Sequence, residues 1–499
     1  MYRHAAPSGS RASSNENAMN APAELPLRLG ARLDGENYLP GATFAVVNPH
    51  TGAIYAEVAD CSANDARRAV DASHRAFQSW RQVSPFERAR LLQAWHDEIL
   101  RQQERLALAM VNEMGKPLAQ ARGEVAYAAA YISLYAEEAK RIHGETFSTT
   151  ATHKRLSATR IPVGPVYAIT PWNFPAAMIT RKLAPALAAG CTAIVKPAEQ
   201  SPVTAIILAE IWEQVGGPAG TLQVIPARDP VPVSKVVFDD ARVRKLTFTG
   251  STEVGRRLYQ EAARTIKKVS LELGGHAPFL IFEDADIDQA VEEVVACKFR
   301  NSGQTCVCTN RIYVQRAIVE AFSAKLAERT AKLKVGDPLD AATEIGPLVD
   351  GQGLAKVSEH VADAVAKGAR VLTGGQAGPG FYYAPTVLAD VTPDMRIMTE
   401  ETFGPVAPIT VFDTEEEAVR AANDTPFGLA AYLYTHDLSR AYRVSEALEY
   451  GIVGINDGAP ASAQAPFGGV KDSGLGREGG HWGLEEYLDI KYTSIALKR

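Results

Sequence analysis

Between residues 161 and 275, short apolar runs alternate with longer amphipathic stretches. The apolar runs are rich in β-branched residues and cover 166–170, 192–195, 222–225, 245–249 and 269–273. Helical patterns fill intervals at 178–189, 202–215 and 231–238. Strands that alternate with helices form parallel βαβ units, because each crossover returns the chain to the start of the next strand. The pattern predicts a doubly wound α/β sheet, whose ligands bind outside the carboxyl ends of the strands.

Length and composition limit the kinds of protein that this chain can be. Its 499 residues allow two or more domains, and a second alternation of strands and helices, from 311 to about 462, favours a second α/β unit. A net charge of −6 and the absence of a basic run disfavour nucleic acid as a partner. No apolar run is long enough to span a bilayer, so no membrane partner is expected. Five cysteines without regular spacing favour a reducing compartment, and we expect the cytoplasm.

The first 26 residues differ in composition from the rest. They are rich in Ala, Ser, Asn and Pro, show no hydrophobic periodicity, and lack the apolar segment of a secretory signal. We interpret residues 1–26 as a disordered leader, and Met19 is an alternative start of the chain.

One cysteine lies where a thiol can meet a substrate. Cys306 follows a Gly-Gln corner, between a helix-like stretch at 291–299 and a strand-like run at 311–315. A cysteine is appreciably nucleophilic near neutral pH, and with a free pKa of about 8.5 roughly 3% is thiolate at pH 7. Modest activation would therefore suffice. The alternative is a buried structural cysteine.

Polar residues follow the predicted strands. Asn173 lies between two prolines that fix its loop, and a rigid carboxamide is a suitable donor to an oxyanion. Lys196 and Glu199 follow the next strand and suit the hydroxyls of a ribose, and Glu199 would repel a 2′-phosphate, which favours NAD over NADP. A turn-capping asparagine and a surface ion pair are the alternatives.

The last two strands of the series end in glycine-containing turns. Gly250 and Ser251 join a strand to a helix, where glycine and the free N–H groups of a helix N-terminus suit a phosphate. Glu272 precedes two glycines and has no neighbouring cation in the sequence. Partial burial would raise its pKa towards the range of a general base. A solvent-facing strand carboxylate is the alternative.

Seven motifs in a fixed order resemble the aldehyde dehydrogenase superfamily. They are Pro-Trp-Asn-Phe-Pro at 171–175, Lys-Pro-Ala-Glu at 196–199, Phe-Thr-Gly-Ser-Thr-Glu-Val-Gly at 248–255, Leu-Glu-Leu-Gly-Gly at 271–275, Gly-Gln-Thr-Cys at 303–306, Glu-Glu-Thr-Phe-Gly-Pro at 400–405 and Pro-Phe-Gly-Gly at 466–469. The likeness extends from about residue 33 to 497. Segments 179–182, 298–308 and 449–456 resemble the succinate-semialdehyde dehydrogenases within it.

The resemblance implies an α/β fold with a Rossmann-type cofactor domain, a second α/β catalytic domain and a small β oligomerisation element. The implied boundaries are 27–142 with 161–275 for the dinucleotide-binding domain and 276–470 for the catalytic domain. Residues 143–160 and 481–499 would be the oligomerisation strands, and we expect a homodimer or homotetramer.

The resemblance also implies a reaction, in which an aldehyde with a distal carboxylate is oxidised through a thiohemiacetal and a thioester, with NAD as cofactor and NADP possible. Succinate semialdehyde is the expected small-molecule substrate. Catalytic roles are implied for Cys306, Glu272 and Asn173, and no metal is expected. The residues implied to contact the cofactor are Thr170, Trp172, Lys196, Glu199, Gly250, Ser251, Val254, Leu273, Glu401 and Phe403. Those implied to contact the substrate are Arg181, Arg300 and Ser462. Cys308 is implied to form a redox disulfide with Cys306.

Other functions stay open at this stage. Glutarate semialdehyde or plain aliphatic aldehydes are alternative substrates, and a CoA-acylating enzyme, a cysteine hydrolase or a catalytically silent binding protein are alternative classes. Departures from the family pattern are His276 after the Gly-Gly pair, the segment 226–229 beside the expected adenosine, and the loop 459–464.

Overall fold

A computed structural model describes residues 26–498, so the predicted leader and the alternative start at Met19 lie outside the described residues. Within that range the strands are β1 (Leu27–Leu29), β2 (Ala31–Leu33), β3 (Glu36–Tyr38), β4 (Thr43–Val47), β5 (Ile54–Ala59), β6 (Glu145–Phe147), β7 (Lys154–Pro162), β8 (Val166–Ile169), β9 (Ala193–Lys196), β10 (Leu222–Val224), β11 (Lys245–Thr249), β12 (Lys268–Glu272), β13 (Ala277–Ile281), β14 (Thr309–Gln315), β15 (Arg370–Thr373), β16 (Thr386–Ala389), β17 (Val406–Phe412), β18 (Ala430–Tyr434), β19 (Ile452–Ile455), β20 (Gly474–Leu475) and β21 (Leu488–Ala496).

The helices of the same range are α1 (Ala63–Trp80), α2 (Pro85–Arg101), α3 (Gln103–Met114), α4 (Leu118–Ala139), α5 (Ala177–Ala189), α6 (Pro202–Gln214), α7 (Pro230–Asp239), α8 (Thr252–Ala263), α9 (Ile287–Phe299), α10 (Val319–Ala331), α11 (Gly351–Ala366), α12 (Glu415–Asn423), α13 (Leu438–Ala447) and α14 (Gly480–Glu485). Short 3-10 turns lie at Arg300–Gly303, Arg316–Ile318, Arg396–Met398 and Lys471–Ser473. No helix in residues 26–498 has the length and apolarity that a membrane crossing requires.

The first sheet has the strand order β20-β12-β11-β8-β9-β10-β2-β3. Its central strands β12, β11, β8, β9 and β10 run parallel, joined by helices as the alternation predicts. The predicted doubly wound α/β sheet is therefore confirmed. The chain returns to this sheet late, since β20 pairs antiparallel with β12 beside Glu272.

Three tryptophans from different helices meet in the core of this first unit. Trp212 of α6 packs edge-on against Trp80 of α1 and Trp95 of α2, with ring centroids 6.1 and 5.5 Å apart. Each of the three side chains is at most 1% exposed. Edge-to-face packing of large rings adds stabilisation to their burial, and so fixes these helices around the sheet.

The second sheet has the order β15-β16-β17-β14-β13-β18-β19, and all of its pairs except β15 with β16 are parallel. Cys306 lies between α9 and β14, on the segment that enters this sheet. The second sheet therefore positions Cys306, whereas the first sheet positions the residues that follow its strands, such as Asn173 and Gly250.

A third sheet has the order β21-β7-β6. The two predicted oligomerisation strands pair with each other inside the chain, in register from Leu488 with Pro162 to Ala496 with Lys154. The outer edge of β21 faces no other strand of residues 26–498. Its side chains Ile490 and Tyr492 are 65% and 60% exposed.

Candidate active site

The segment before Cys306 adopts an unusual backbone that brings the thiol to a junction of two cavities. Asn301, Ser302 and Gly303 have φ values of 52°, 56° and 76°. A Cβ on Gly303 would lie 2.1 Å from the Gly404 carbonyl oxygen, so only glycine fits there. Left-handed backbone is costly for non-glycine residues and is concentrated at functional sites. Cys306 is only partly exposed, and its side chain lines both cavities.

We call the first of these the arginine cavity. It has a volume of about 310 Å³ and ends at Cys306. Its wall consists of Lys116, Gln120, Gly123, Glu124, Tyr127, Phe174, Met178, Arg181, Arg300, Thr305, Val307, Ala461 and Phe467.

The second, the strand-end cavity, has a volume of about 430 Å³ and lies outside the carboxyl ends of the first sheet's strands. The first unit contributes Pro171, Trp172, Asn173, Met178, Gln200, Thr249, Gly250, Ser251, Leu273 and Gly274. The second unit contributes residues that include Gln304, Asp350, Gln352, Gly353, Lys356, Glu401, Thr402 and Phe403.

The Cys306 thiol is held mainly in its neutral form in this structure. Burial raises its pKa to about 12, although the Arg181 guanidinium opposes that rise. The Glu401 and Glu272 carboxylates raise the pKa further, so both lie within electrostatic range of the sulfur. The expectation of modest activation used the pKa of a free thiol, which takes no account of burial. The nucleophile needs a base.

The Asn173 carboxamide is buried and fixed in orientation. Its Nδ2 donates to the Gln304 carbonyl oxygen at 3.0 Å, which uses one of two N–H bonds. The backbone carbonyl oxygen of Asn173 accepts from Asn301 Nδ2 at 3.0 Å and from the Lys116 ammonium at 2.8 Å, which fixes the backbone that carries the carboxamide. A second N–H of Asn173 thus remains available on the wall of the strand-end cavity, as a donor held in place for an oxyanion.

Glu272 combines a buried carboxylate with an unsatisfied oxygen. Its Oε2 has no hydrogen-bond partner among residues 26–498, and the residue is only 4% exposed. Burial raises the pKa of Glu272 well above its ordinary value, and the Glu478 carboxylate adds to the rise. The side chain lies outside the walls of both cavities, although its neighbours Leu273 and Gly274 line the strand-end cavity. Raised carboxyl pKa values beside a nucleophile are typical of an acid–base group.

The two predicted substrate arginines differ in their surroundings. Arg181 is buried, and its Nη2 lies 2.6 Å from Glu478 Oε2 in a charge contact that is not an aligned hydrogen bond. Arg300 is exposed, makes no ion pair within residues 26–498, and stacks over the Phe174 ring at 5.4 Å. Ser462 is exposed and does not line the arginine cavity, whose wall contains Ala461 instead. Arg300 is therefore the free cation of this cavity.

The strand-end cavity fits a dinucleotide. Ser251 caps helix α8 by accepting from the Val254 amide at 3.3 Å, and this helix N-terminus opens into the cavity beside Gly250. Helix N-termini attract phosphate groups. The Thr249 hydroxyl, also on this wall, has no partner within residues 26–498. Val254 itself is 42% exposed and lies outside the wall.

The opposite wall carries Glu401 and Phe403. Glu401 Oε1 accepts from the Gly275 amide at 3.3 Å, and burial raises the pKa of this carboxyl to about 7. Phe403 has a φ of 55° and packs edge-on against Trp172, with centroids 5.6 Å apart. The two rings bridge the first and second units at Cys306's end of the cavity.

Besides Val254, three predicted cofactor residues lie beside the cavity rather than on its wall. Lys196 Nζ donates to Glu199 Oε2 at 3.3 Å at the end of β9, and Glu199 is 45% exposed. Thr170 follows β8, the strand that pairs with β9, and is buried. The wall nearest to them contains Gln200.

The chain matches the family model described as the aldehyde dehydrogenase family over residues 38–493. It is 51% identical to the glutarate-semialdehyde dehydrogenase of Pseudomonas putida, over 94% of this chain and 97% of that protein. It is also 51% identical to the NADP(+)-dependent succinate-semialdehyde dehydrogenase of Escherichia coli, over the same shares of each chain. The crystal structure of succinate-semialdehyde dehydrogenase from Burkholderia pseudomallei has a TM-score of 0.93 and 49% identity, over 94% of this chain and 98% of that one.

The chain belongs to the aldehyde dehydrogenase family. It is an aldehyde dehydrogenase, an oxidoreductase that uses a nicotinamide dinucleotide, and the predicted family, fold and enzyme class are confirmed. The family assignment disfavours the alternative of a cysteine hydrolase, and the enzyme class disfavours that of a silent binding protein.

Two residues of this dehydrogenase that the sequence did not single out shape the site. Glu478 holds Arg181 and also accepts from Lys182 Nζ at 2.5 Å, while its own carboxylate raises the pKa of Glu272. Lys116 lines the arginine cavity, pairs with Glu124 and supports Asn173. Neither residue belongs to a recognisable local motif, because Glu478 meets Lys182 across 296 positions and Lys116 meets Asn173 across 57.

The remaining predictions concern Cys308 and the departures from the family pattern. Cys308 is fully buried, and its Sγ contacts the Gly303 carbonyl oxygen at 3.3 Å and Lys298 Nζ at 3.8 Å. Burial raises the pKa of the Cys308 thiol. The disulfide between Cys308 and Cys306 stays a prediction. His276 is buried, with Nε2 3.1 Å from the Ile397 carbonyl oxygen. Asp229, in the departure at 226–229, caps α7 by accepting from the Val231 amide.

Proposed function

We propose that this dehydrogenase oxidises a short aldehyde with a carboxylate at its far end, with succinate semialdehyde as the principal substrate. The observation that carries the proposal is Arg300, a cation without an acidic partner in residues 26–498, on the wall of a cavity that ends at Cys306. A guanidinium binds a carboxylate through two parallel hydrogen bonds. A substrate anchored there would place its aldehyde carbon at the sulfur.

The reaction begins when the Cys306 thiol gives its proton to solvent water and the sulfur attacks the aldehyde carbon. The oxyanion that forms is stabilised by the free N–H of Asn173 and by the Cys306 backbone N–H. A bound nicotinamide dinucleotide supplies the hydride acceptor. Loss of hydride from the thiohemiacetal leaves a thioester on Cys306, which water must hydrolyse to release the carboxylate product and restore the thiol.

Glu272 is the base that this hydrolysis needs. Burial raises its pKa, which makes its carboxylate a stronger base than an exposed one, and it lies within electrostatic range of Cys306. Because its side chain lies outside the cavity walls, it must turn towards the thioester to act. Water activation would also compete with transfer of the acyl group to CoA, so a hydrolytic rather than CoA-acylating reaction is proposed.

Glutarate semialdehyde is the second candidate substrate, favoured by the similar enzyme of Pseudomonas putida that is named for it. The two aldehydes differ by one methylene, a difference worth about 1–3 kcal/mol in a fitted pocket. The departure at 459–464, which includes Ser462 and Ala461, lies next to the arginine cavity and is the segment most suited to set this preference.

Cofactor preference depends on Glu199 in this proposal. Its carboxylate, paired with Lys196, would disfavour a 2′-phosphate, so we propose NAD as the preferred form and NADP as a substitute. The similar enzyme of Escherichia coli is named for NADP(+), which makes the comparison of the two forms informative.

We further propose a cytoplasmic homodimer or homotetramer. The support for assembly is the unpaired edge of β21 with its exposed Ile490 and Tyr492. Exposed apolar edge strands favour pairing with another chain. Sedimentation of the purified protein should give a dimer or larger, and a monomer at micromolar concentration would contradict this assignment.

The test of the proposed function is kcat/KM for succinate semialdehyde, glutarate semialdehyde and propanal, each with NAD and with NADP. Propanal lacks the carboxylate and serves as the control. We expect both semialdehydes to exceed propanal by at least tenfold, because only they can bind Arg300. Equal values for propanal and succinate semialdehyde would contradict the proposed role of the arginine cavity.

A further inference from the structure

A buried histidine outside the reacting groups connects two parts of the strand-end cavity. His360 lies in α11, and its side chain is completely inaccessible to solvent. Its Nδ1 is 3.1 Å from Thr402 Oγ1, and its Nε2 is 3.2 Å from Glu400 Oε2. Both ring nitrogens are therefore engaged, on either side of Glu401.

The chemistry of the partners fixes the direction of both hydrogen bonds. The Arg396 side chain holds Glu400 with two contacts of 3.1 Å and, as the largest cause, lowers the pKa of Glu400. An ionised carboxylate only accepts, so Nε2–H donates to Glu400. Burial lowers the pKa of His360, which favours the neutral ring, so Nδ1 accepts from the Thr402 hydroxyl.

Each element that His360 joins contributes to the wall of the strand-end cavity. Helix α11 provides Gln352, Gly353 and Lys356, and Lys356 lies one helical turn before His360. The segment 400–403 provides Glu401, Thr402 and Phe403. Lys356 also opposes the rise in the pKa of Glu401, so the two walls interact electrostatically across the cavity.

The segment 400–403 needs support from outside itself. Phe403 has a left-handed backbone, and within residues 26–498 the Glu401 carboxylate accepts a single hydrogen bond, from the Gly275 amide at 3.3 Å. Strained backbone persists only where its surroundings fix it. His360 supplies that restraint on both sides of Glu401, through Glu400 and Thr402.

We propose that His360 is a positioning residue for the cofactor, which holds Glu401 and Phe403 at the spacing from α11 that a bound dinucleotide requires. This inference rests on the proposed assignment of the strand-end cavity to the dinucleotide. It does not depend on which aldehyde is oxidised. A histidine that served only to fill the core would affect stability and leave cofactor affinity unchanged.

The test compares two substitutions of similar size in the full-length enzyme. In His360→Gln, the side-chain carbonyl and NH2 groups can replace the acceptor and the donor of the neutral ring. In His360→Met neither hydrogen bond is possible. The dissociation constant of NADH is measured by titration of its fluorescence, without aldehyde. Loss of one or both hydrogen bonds should raise this constant about five- to tenfold in His360→Met. His360→Gln should retain most of the wild-type affinity.

A second readout separates this effect from general damage. The rate of Cys306 alkylation by iodoacetamide in the absence of dinucleotide should stay at the wild-type value in both variants, because Cys306 also lines the arginine cavity, whose wall contains neither His360 nor its two partners. The proposal is overturned by wild-type NADH affinity in His360→Met, by equal losses in both variants, or by a matching loss of alkylation.

Thr402→Val provides an independent variant if His360→Met does not fold. It removes the hydrogen bond between Thr402 and His360 by replacing the hydroxyl with a methyl group, and the side chain keeps nearly the same shape. NADH should bind about fivefold more weakly to Thr402→Val, because the hydroxyl that donates to His360 is lost. Unchanged affinity in Thr402→Val contradicts the proposed connection.

Discussion

Replacement of Arg300 tests how the enzyme selects a carboxylated aldehyde. Arg300 is exposed on the wall of the arginine cavity, stacks on Phe174, and has no acidic partner in the described chain. Arg300→Met therefore leaves no buried charge unpaired. Loss of the Arg300 guanidinium removes one charge-assisted contact with the substrate, which is worth about 1.5–3 kcal/mol. We therefore expect kcat/KM to fall roughly 10- to 150-fold.

Arg181 gives the contrast that makes this experiment informative. Arg181 is buried against Glu478, which also binds Lys182 and raises the pKa of Glu272. Arg181→Met would leave Glu478 with one cation instead of two, close to the general base. We therefore expect Arg181→Met to impair the oxidation of every aldehyde and to lower thermal stability, unlike Arg300→Met.

The assay is steady-state kcat/KM for succinate semialdehyde and for propanal in wild type, Arg300→Met and Arg300→Lys. Only the value for succinate semialdehyde should fall in Arg300→Met. Arg300→Lys should be intermediate, because an ammonium keeps the charge and lacks the bidentate fork. Equal losses for both aldehydes would refute the reasoning, since they would place Arg300 in the structure of the site rather than in substrate recognition.

Four further predictions concern the base, its pH dependence, the cofactor and stability. Glu272→Gln should give a burst of NADH in stopped flow followed by arrested turnover, and undiminished steady-state turnover would contradict its role. Because the pKa of Glu272 is raised, its base form is lost as pH falls through that pKa, so the rate of thioester hydrolysis measured in single turnovers should rise with pH; a flat profile in wild type contradicts this. Glu199→Gln should increase kcat/KM with NADP relative to NAD, and an unchanged ratio removes Glu199 from cofactor selection. Lys116→Met should lower the free energy of unfolding by about 3–5 kcal/mol, measured by denaturant titration, because it leaves the buried Glu124 carboxylate unpaired; a change below about 1 kcal/mol contradicts this.

Local sequence patterns predicted the first sheet well. The predicted strand at 245–249 has the same bounds as β11, and the other predicted strands of the series differ from β8, β9, β10 and β12 by a residue or two. Period-two and helical patterns are local, so they are visible in the sequence alone. The carboxyl-end position of Asn173 and Glu272 followed from the same alternation.

Properties that depend on distant contacts were not predicted. Glu478 binds Lys182 across 296 positions, and no local motif of either residue indicates the other. The pKa of Cys306 depends on burial by the whole fold, so the pKa of a free thiol was a poor guide. His360 was also overlooked, because a single histidine in an amphipathic helix looks like any other polar position until Thr402 and Glu400 are seen beside it.

The covalent intermediate on Cys306 is the most direct test of the mechanism. Glu272→Gln enzyme is mixed with succinate semialdehyde and NAD, quenched in acid after the burst, digested and mapped by mass spectrometry. The account predicts a succinyl group on the peptide that contains Cys306, in an amount equal to the NADH formed. NADH formation with no acyl group on that peptide would contradict it.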